Sequence, residues 1–226
     1  MKKQLPNEEE LIKQAILERE VEEELQKERL MNFWKKYRFI IIGGLFLIIG
    51  VTVGTEVYKS WYNKVRISES NLFEQAVLSD YTQETEKANQ LYDDLAKNAR
   101  TGYQYLAQMR LAQMAFGQNN ATKGIQLLTQ LMNDGNAPEE LRDVARLSAI
   151  GHQIGTTDSN ELLKLLQPLL DKQNSFYASA VELQAILLLE QKQLNNARDV
   201  LNIALGLPTL SEQSKNRLKE LLSIIQ

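Results

Sequence analysis

The chain has 226 residues, of which 43% are apolar, and its formal net charge at pH 7 is -3. These values predict a packed core and exclude the strongly basic surface that nucleic-acid binding requires. The absence of cysteine excludes disulfides, thiol catalysis and cysteine-based zinc sites, and a mean hydropathy of -0.34 excludes a polytopic membrane protein.

Residues 1–36 are predicted to form a charged, helical cytoplasmic tail. Met1–Arg38 holds nine basic and nine acidic side chains, and Glu9 with Lys13 is one of its favourable i,i+4 pairs. An apolar stripe that includes Leu25 is present but broken. The pattern fits either a solvated helix without a specific partner or a coiled-coil or docking helix on the cytosolic side.

Residues 37–58 are predicted to form a transmembrane signal anchor. The run Phe39–Gly54 contains sixteen residues without a charge, which is slightly short of the ~20 that span a bilayer. Aromatic residues extend it on both sides, where their rings prefer the headgroup level. These residues are Trp34, Tyr37, Tyr58, Trp61 and Tyr62.

The cations that flank the run give the anchor a direction. Five precede it and three follow it: Lys27, Arg29, Lys35, Lys36 and Arg38, then Lys59, Lys64 and Arg66. Positive residues favour the cytoplasmic side, so the amino terminus is predicted to be cytoplasmic. No small-x-small cleavage site follows the run, which predicts an uncleaved anchor and an exported carboxy-terminal domain.

Gly50 and Gly54 form a G-x-x-x-G pair within the run. Two small residues one turn apart allow another helix to approach closely, which predicts a transmembrane contact at this face. The alternative is that these glycines have no partner, because glycine is common in membrane spans.

Residues 59–226 are predicted to be a domain of helix pairs, because helical stretches of twelve to nineteen residues alternate with short polar breaks. The predicted breaks are Ser79–Thr82, Asn98–Gly102, Gln118–Asn120, Asp134–Pro138, Gly155–Asp158, Lys172–Ser175, Gln191–Asn195 and Gly206–Thr209. Asp158 and Thr209 each precede a glutamate by three residues, which is the form of a capping box at a helix start. Residues 210–225 are predicted to be an amphipathic helix that caps the stack.

Small residues recur in this domain at a fixed spacing. Three pairs are twelve residues apart, and a fourth pair occupies a similar place with a longer turn. The pairs are Ala76 and Ala88, Ala112 and Gly124, Ala145 and Leu162, and Ala185 and Ala197. Larger residues follow each pair and are predicted to fill the adjoining layer: Tyr92, Leu95, Leu128, Leu131, Leu166, Leu169 and Leu201, with Ala204 in the last unit. The first two pairs lie 36 residues from each other, and a period of roughly 33–40 residues built from helix pairs is typical of a solenoid.

This spacing resembles the tetratricopeptide repeat, which has small residues at its eighth and twentieth places and a bulky one at its twenty-fourth. The chain lacks the usual early aromatic, and Pro208 is the only terminal proline among four units. The predicted fold class is all-α, with one transmembrane helix followed by a tetratricopeptide-like α-solenoid. The resemblance implies a concave face, lined by the first helix of each pair, that binds extended or partly unfolded peptide. Its candidate residues are Phe73, Val77, Met109, Gln113, Phe116, Arg142, Arg146, Glu182, Ile186 and Leu189; the alternative for several of them is a place in the core.

The sequence offers no chemistry for catalysis. His152 is the only histidine and has no neighbour at metal-ligand spacing, so it is predicted to be structural or exposed. No phosphate-binding loop, nucleophile elbow or clustered Asp/His set is present. The chain is therefore predicted not to be an enzyme and to have no cofactor and no metal.

A short cytosolic tail, one signal anchor and divergent helical repeats together resemble the ancillary subunit of the bacterial SecYEG translocon. That resemblance covers roughly Asn32 to the end and implies a single-pass protein of the bacterial inner membrane, in contact with lipid, whose repeat domain is periplasmic. It also implies three kinds of partner: the SecYEG translocon, a membrane-anchored periplasmic chaperone and exported polypeptides. The competing hypothesis is a homo-oligomeric envelope scaffold, in which the tail forms a coiled coil and the repeats tether cell-wall or division proteins.

Overall fold

The computed structural model describes residues 8–225, and the side chains of this range except those of 8–18, Glu20, Glu23 and Ile41. Every regular element in the described range is a helix. The helices are α1 Glu8–Tyr81, α2 Thr85–Asn98, α3 Tyr103–Gly117, α4 Ala121–Asn133, α5 Glu139–Gly151, α6 Ser159–Leu166, a short 3-10 helix Gln167–Leu169, α7 Tyr177–Glu190, α8 Leu194–Leu205 and α9 Glu212–Ile224. The all-α prediction is confirmed.

The chain divides into two compact units, Met1–Asn63 and Lys64–Gln226. In the first unit, residues 8–36 of the predicted tail and the predicted anchor belong to the same helix, α1, and residues 1–7 of the tail lie outside the described range. The one polar side chain of the run Phe39–Gly54 is satisfied by the helix itself, since Thr52 Oγ1 donates to the Ile48 carbonyl at 2.8 Å. A hydroxyl bonded in this way adds little cost to burial in hydrocarbon.

The part of α1 from Glu24 to Tyr81 contains a window that is long and apolar enough to cross a membrane, and none of that window is buried against protein. This finding is consistent with a single-pass membrane protein. Because this apolar window is not buried in a protein core, its apolar surface is available for contact with another molecule or with lipid.

The second unit is built of helix pairs, and its core contains the small residues that set the predicted period. All eight members of the four small-residue pairs are buried, and the larger residues predicted for the adjoining layer are buried as well. The end of α1 shares a buried cluster with α2 and α3, and α3 shares the next with α4 and α5. Each helix therefore packs against its neighbours in the chain, as in a solenoid.

The turn between the two helices is the same in three of the four pairs. Gln83, Asn119 and Lys192 adopt left-handed backbone conformations, with φ of 64°, 58° and 59°. Each lies seven residues after the small residue of its first helix, at Ala76, Ala112 and Ala185. In the first turn, the Glu84 amide donates to the Ser79 carbonyl at 2.8 Å, and the other two turns make the equivalent bond. A residue in the left-handed region with this bond is the usual way to close a helix.

The third pair has a different turn, as its longer spacing predicted. Helix α5 ends at Gly151, four residues before the predicted break, and the left-handed residue is Gly155, with φ of 79°. The second helix of this pair is short because Pro168 lacks an amide hydrogen, so α6 passes into a 3-10 helix.

Two predicted helix starts have different outcomes. Asp158 caps α6 as predicted, because its carboxylate accepts from the amides of Asn160 at 2.9 Å and Glu161 at 3.3 Å. The capping box at Thr209 is wrong. Ser211 caps α9 instead and accepts from the Ser214 amide at 3.1 Å, since the turn after Pro208 continues to residue 210 before the helix begins.

Glu69 fixes the first repeat to the second within this unit. Its buried carboxylate accepts from the Arg100 amide at 2.7 Å, from the Thr101 amide at 3.1 Å and from the Thr101 hydroxyl. The Tyr103 hydroxyl donates to Ser70 Oγ at 2.9 Å beside it. The amides of Arg100 and Thr101 precede α3, and α3 offers them no acceptor. Glu69 on α1 supplies the acceptor for both.

Candidate interaction face and membrane anchor

The ten predicted face residues lie on α1, α3, α5 and α7, the first helices of the four pairs. No hydrogen bond or ion pair joins two of them among the described residues. Four of them pack against the buried clusters: Phe73, Met109, Phe116 and Leu189. The peptide-binding role of the ten stays a prediction, and these four also contribute to the core.

Two of the four are held by aromatic neighbours. The Phe73 ring lies 5.6 Å from that of Tyr92 and 5.5 Å from that of Tyr103, measured between centroids. Phe116 stacks on His152 with centroids 3.5 Å apart and planes 9° apart. Rings fixed in this way stabilise the repeat, and the exposed His152 has the structural place predicted for it.

The remaining six residues keep part of their surface open to solvent, and Val77, Gln113 and Ile186 are three of them. Val77 on α1 is 36% exposed. Gln113 on α3 is exposed and accepts a hydrogen bond from Arg110 at 3.1 Å. These side chains offer both apolar area and hydrogen-bonding groups, which is what recognition of a polypeptide requires.

Arg146 on α5 is held in place by a buried network. Its guanidinium donates to Asp143 Oδ1 at 3.0 Å, and Asp143 Oδ2 accepts from Asn174 Nδ2 at 2.9 Å. Asp143 is only 6% exposed, so both its oxygens are satisfied within the protein. The network orients Arg146 and ties α5 to the loop that leads into α7.

Arg142 lies one turn before Arg146 on the same helix. It is half-buried, and its Nε is buried without a hydrogen-bond partner among the described residues. A buried donor without a partner costs roughly 1–3 kcal/mol. The two guanidinium groups also repel each other at i,i+4 spacing, and the ion pair of Arg146 with Asp143 at 3.0 Å offsets part of that repulsion.

Glu182 on α7 pairs with a residue that the sequence analysis missed. Arg217 Nε on α9 donates to its carboxylate at 3.2 Å. The two residues are 35 positions apart, close to one repeat, and Asp143 and Asn174 are 31 apart. In a solenoid, residues one period apart are neighbours, so the period was the signal that could have identified both partners.

Four titratable groups of this unit have shifted pKa values. Burial raises the pKa of Tyr92 and of Tyr177, whereas hydrogen bonds from Lys87 and Lys215 lower the pKa of two exposed glutamates, Glu84 and Glu212. No group of three His, Asp or Glu side chains in the same range is placed to hold a metal ion.

The anchor presents its glycines on an open helix face. A Cβ atom added at Gly50 or Gly54 would meet nothing within 4 Å, and the same holds at Gly43 and Gly44. The backbone is therefore accessible to a neighbouring helix at each of these positions. The contact itself stays a prediction.

Comparison with known proteins identifies one family. The model of a tetratricopeptide repeat-like domain matches residues 31–223. No curated protein and no solved structure matches the chain. The matched region covers far more than half of the chain and begins ahead of the apolar run at Phe39. The chain belongs to the family of tetratricopeptide repeat-like domain proteins.

Proposed function

We propose that this protein is an adaptor of the bacterial inner membrane that associates with the Sec translocon and passes newly exported proteins to periplasmic chaperones. Its amino terminus is cytoplasmic and its repeat domain is periplasmic in this proposal. One observation carries the proposal: the family match starts at Met31, so it includes the apolar run Phe39–Gly54 as well as the repeats. A function that requires repeats held at a membrane is thereby favoured.

The first helices supply the means to bind a polypeptide. Tetratricopeptide-like domains are protein-interaction modules, and the exposed part of the face combines Val77 and Ile186 with the two arginines of α5. An unfolded exported chain presents backbone carbonyls and carboxylates, and both are acceptors that suit the guanidinium groups of Arg142 and Arg146.

Site-specific photocrosslinking in cells tests the translocon association. A photoreactive residue at Gly50 or Gly54 is expected to capture translocon or chaperone subunits. At about 100° per residue, Leu45 and Ile48 lie on the opposite face of the same helix and serve as matched controls. Capture of only a second copy of this chain from Gly50 and Gly54 would contradict the proposal.

A second experiment tests the binding face. A photoreactive residue at Gln113 is expected to capture exported polypeptides, and Arg142→Met is expected to reduce that capture about tenfold, since one good polar contact is worth roughly 1.4 kcal/mol. Lys123→Met serves as the control, because Lys123 is an exposed cation on α4, the second helix of the same pair. Equal effects of the two substitutions would remove α5 from the binding face.

A self-associating scaffold is the second candidate function. The tail part of α1 exposes Val21, Leu25 and Met31, at 51%, 47% and 54%. Apolar side chains exposed on a helix can be covered by a second helix. Analytical ultracentrifugation of the isolated tail and of residues 63–226 separates the two candidates: stable oligomers of both pieces favour the scaffold, whereas two monomers favour the adaptor.

A further inference from the structure

A compact group of cations lies directly before the apolar run of α1. Lys35, Lys36 and Arg38 are all exposed, and none of them has a carboxylate partner among the described residues. Beyond the run the situation differs, because the Lys59 ammonium lies 3.5 Å from the Glu56 carboxylate. The positive charge before the run is therefore available to an external anion.

Helix geometry places these cations on one side of α1. At about 100° per residue, Lys35, Lys36 and Arg38 span an arc of roughly 160°. The rings of Phe33 and Tyr37 lie on the opposite side, 4.7 Å apart between centroids. The helix thus has one cationic side and one aromatic side at the same level.

The level of the cations along the helix matches a lipid headgroup layer. Lys35 to Arg38 spans about 4.5 Å of helix rise, and each headgroup layer is roughly 5–7 Å thick. Arg38 immediately precedes Phe39, where the uncharged run begins. When that run occupies the hydrocarbon core, all three cations lie among lipid phosphates.

Two of the cations lie over aromatic rings of neighbouring residues. Lys36 Nζ lies 5.4 Å from the centroid of the Tyr37 ring, and the Arg38 guanidinium lies 4.7 Å from that of Phe39. Ring contacts of this kind restrict the side chains without using their hydrogen-bond donors. Restricted cations lose less entropy when they bind a phosphate.

We propose that Lys35, Lys36 and Arg38 form a binding surface for the phosphate headgroups of anionic phospholipids in the leaflet at the amino-terminal end of the anchor. An acidic protein would have to approach within a few ångströms of the hydrocarbon to reach all three cations, whereas a lipid phosphate is already there. The proposal rests on the membrane anchor of the proposed function, but it does not depend on the translocon or on any client.

Lipid selectivity of the full chain tests this proposal. The purified protein is reconstituted in phosphatidylcholine vesicles that contain a trace of spin-labelled phosphatidylglycerol or of spin-labelled phosphatidylcholine. Electron paramagnetic resonance then gives the motionally restricted fraction of each label. One cation near an anionic headgroup strengthens association about fivefold, so the wild-type chain is expected to prefer phosphatidylglycerol at least threefold.

A matched pair of triple variants locates the effect. The variant K35Q/K36Q/R38Q is expected to lose the preference, whereas K59Q/K64Q/R66Q removes three cations from the other end of the run and is expected to keep it. High salt is expected to weaken the wild-type preference, because exposed charges are screened. Equal loss in both variants, or a wild-type chain without preference, overturns the proposal.

Two further outcomes are distinguishable. Resistance to extraction by alkaline carbonate checks that each chain is inserted; a wild-type chain that washes off would overturn the anchor and this proposal together. The second measurement uses soluble polyglutamate as a probe. If K35Q/K36Q/R38Q abolishes binding of polyglutamate but leaves lipid selectivity unchanged, the surface belongs to an acidic protein partner and the lipid proposal is wrong.

Discussion

Substituting Gly124 by alanine is expected to destabilise the second repeat, although alanine is the better helix former. A Cβ atom at this position would lie 2.6, 2.7 and 2.8 Å from three carbon atoms of the Phe116 ring. Ordinary contact begins at 3.4 Å, so the ring would have to retreat by roughly 0.8 Å. That movement disturbs the stack of Phe116 on His152, whose ring centroids are 3.5 Å apart.

Three opposing free-energy contributions decide whether Gly124→Ala stabilises or destabilises the protein. Helix propensity favours alanine over glycine by about 1 kcal/mol, whereas overpacking costs roughly 1–3 kcal/mol and an aromatic pair is worth about 0.5–1.5 kcal/mol. We expect Gly124→Ala to lower the free energy of unfolding by about 1–2 kcal/mol. With Phe116→Ala in the background the clash is gone, and the same substitution is expected to raise it by about 1 kcal/mol.

Urea unfolding of the full chain in detergent micelles, followed by circular dichroism, measures all four chains of this double-mutant cycle. Gly117→Ala is the matched control, because a Cβ there would meet nothing within 4 Å; it is expected to be neutral or stabilising. If Gly124→Ala stabilises the wild-type chain, or if its effect is the same with and without Phe116, the packing argument is refuted.

Substitutions at five other residues have defined expectations in the same unfolding assay. Gln83→Gly and Lys192→Gly are each expected to stabilise by about 1 kcal/mol, because both residues have left-handed backbones; a loss of stability would contradict this. Tyr92→Phe is expected to gain about 1 kcal/mol at neutral pH, since the Tyr92 hydroxyl is buried and has no partner among the described residues, whereas Tyr177→Phe is not. Burial raises the pKa of Tyr92 above 10.0, so the unfolded chain ionises first and wild-type stability falls as the pH rises past that value; a fall of equal steepness in Tyr92→Phe would exclude this group. Glu69→Ala is expected to cost about 3 kcal/mol and Glu69→Gln about half of that, because charge-assisted bonds are the stronger ones; equal losses would show that the charge is unimportant.

The period of small residues predicted the helical repeats because it reflects close packing. Ala76, Ala112 and Ala185 have no exposed surface, and a larger side chain at any of them would separate two helices. The left-handed turn residues could not be predicted in the same way, because Gln83 and Lys192 are polar residues without a preference for that conformation. Their conformation comes from the bond that closes the helix, and tertiary packing stabilises a choice that local propensity disfavours.

The polar contacts of the candidate face were harder to predict than its positions. Arg142 and Glu182 were placed on first helices by counting from the small residues. Their environments depend on a register across repeats: Glu182 meets Arg217 from α9, whereas Arg142 meets nothing in the described chain that satisfies its Nε. Counting along one helix shows which face of that helix a residue occupies. The partner on the next repeat depends also on the length of the loop between the repeats, and the loop after α6 is irregular.

The extent of the family match indicates that the anchor and the repeats function together. A soluble peptide-binding module would need only the second unit, Lys64–Gln226. The match begins at Met31 and therefore includes Lys35, Lys36, Arg38 and the whole apolar run. One family model thus spans the anchor and the repeats, so the repeats are expected to bind their partner while held at a membrane. An adaptor beside a membrane channel meets that requirement directly, because a polypeptide leaving the channel reaches the repeats before it can diffuse away.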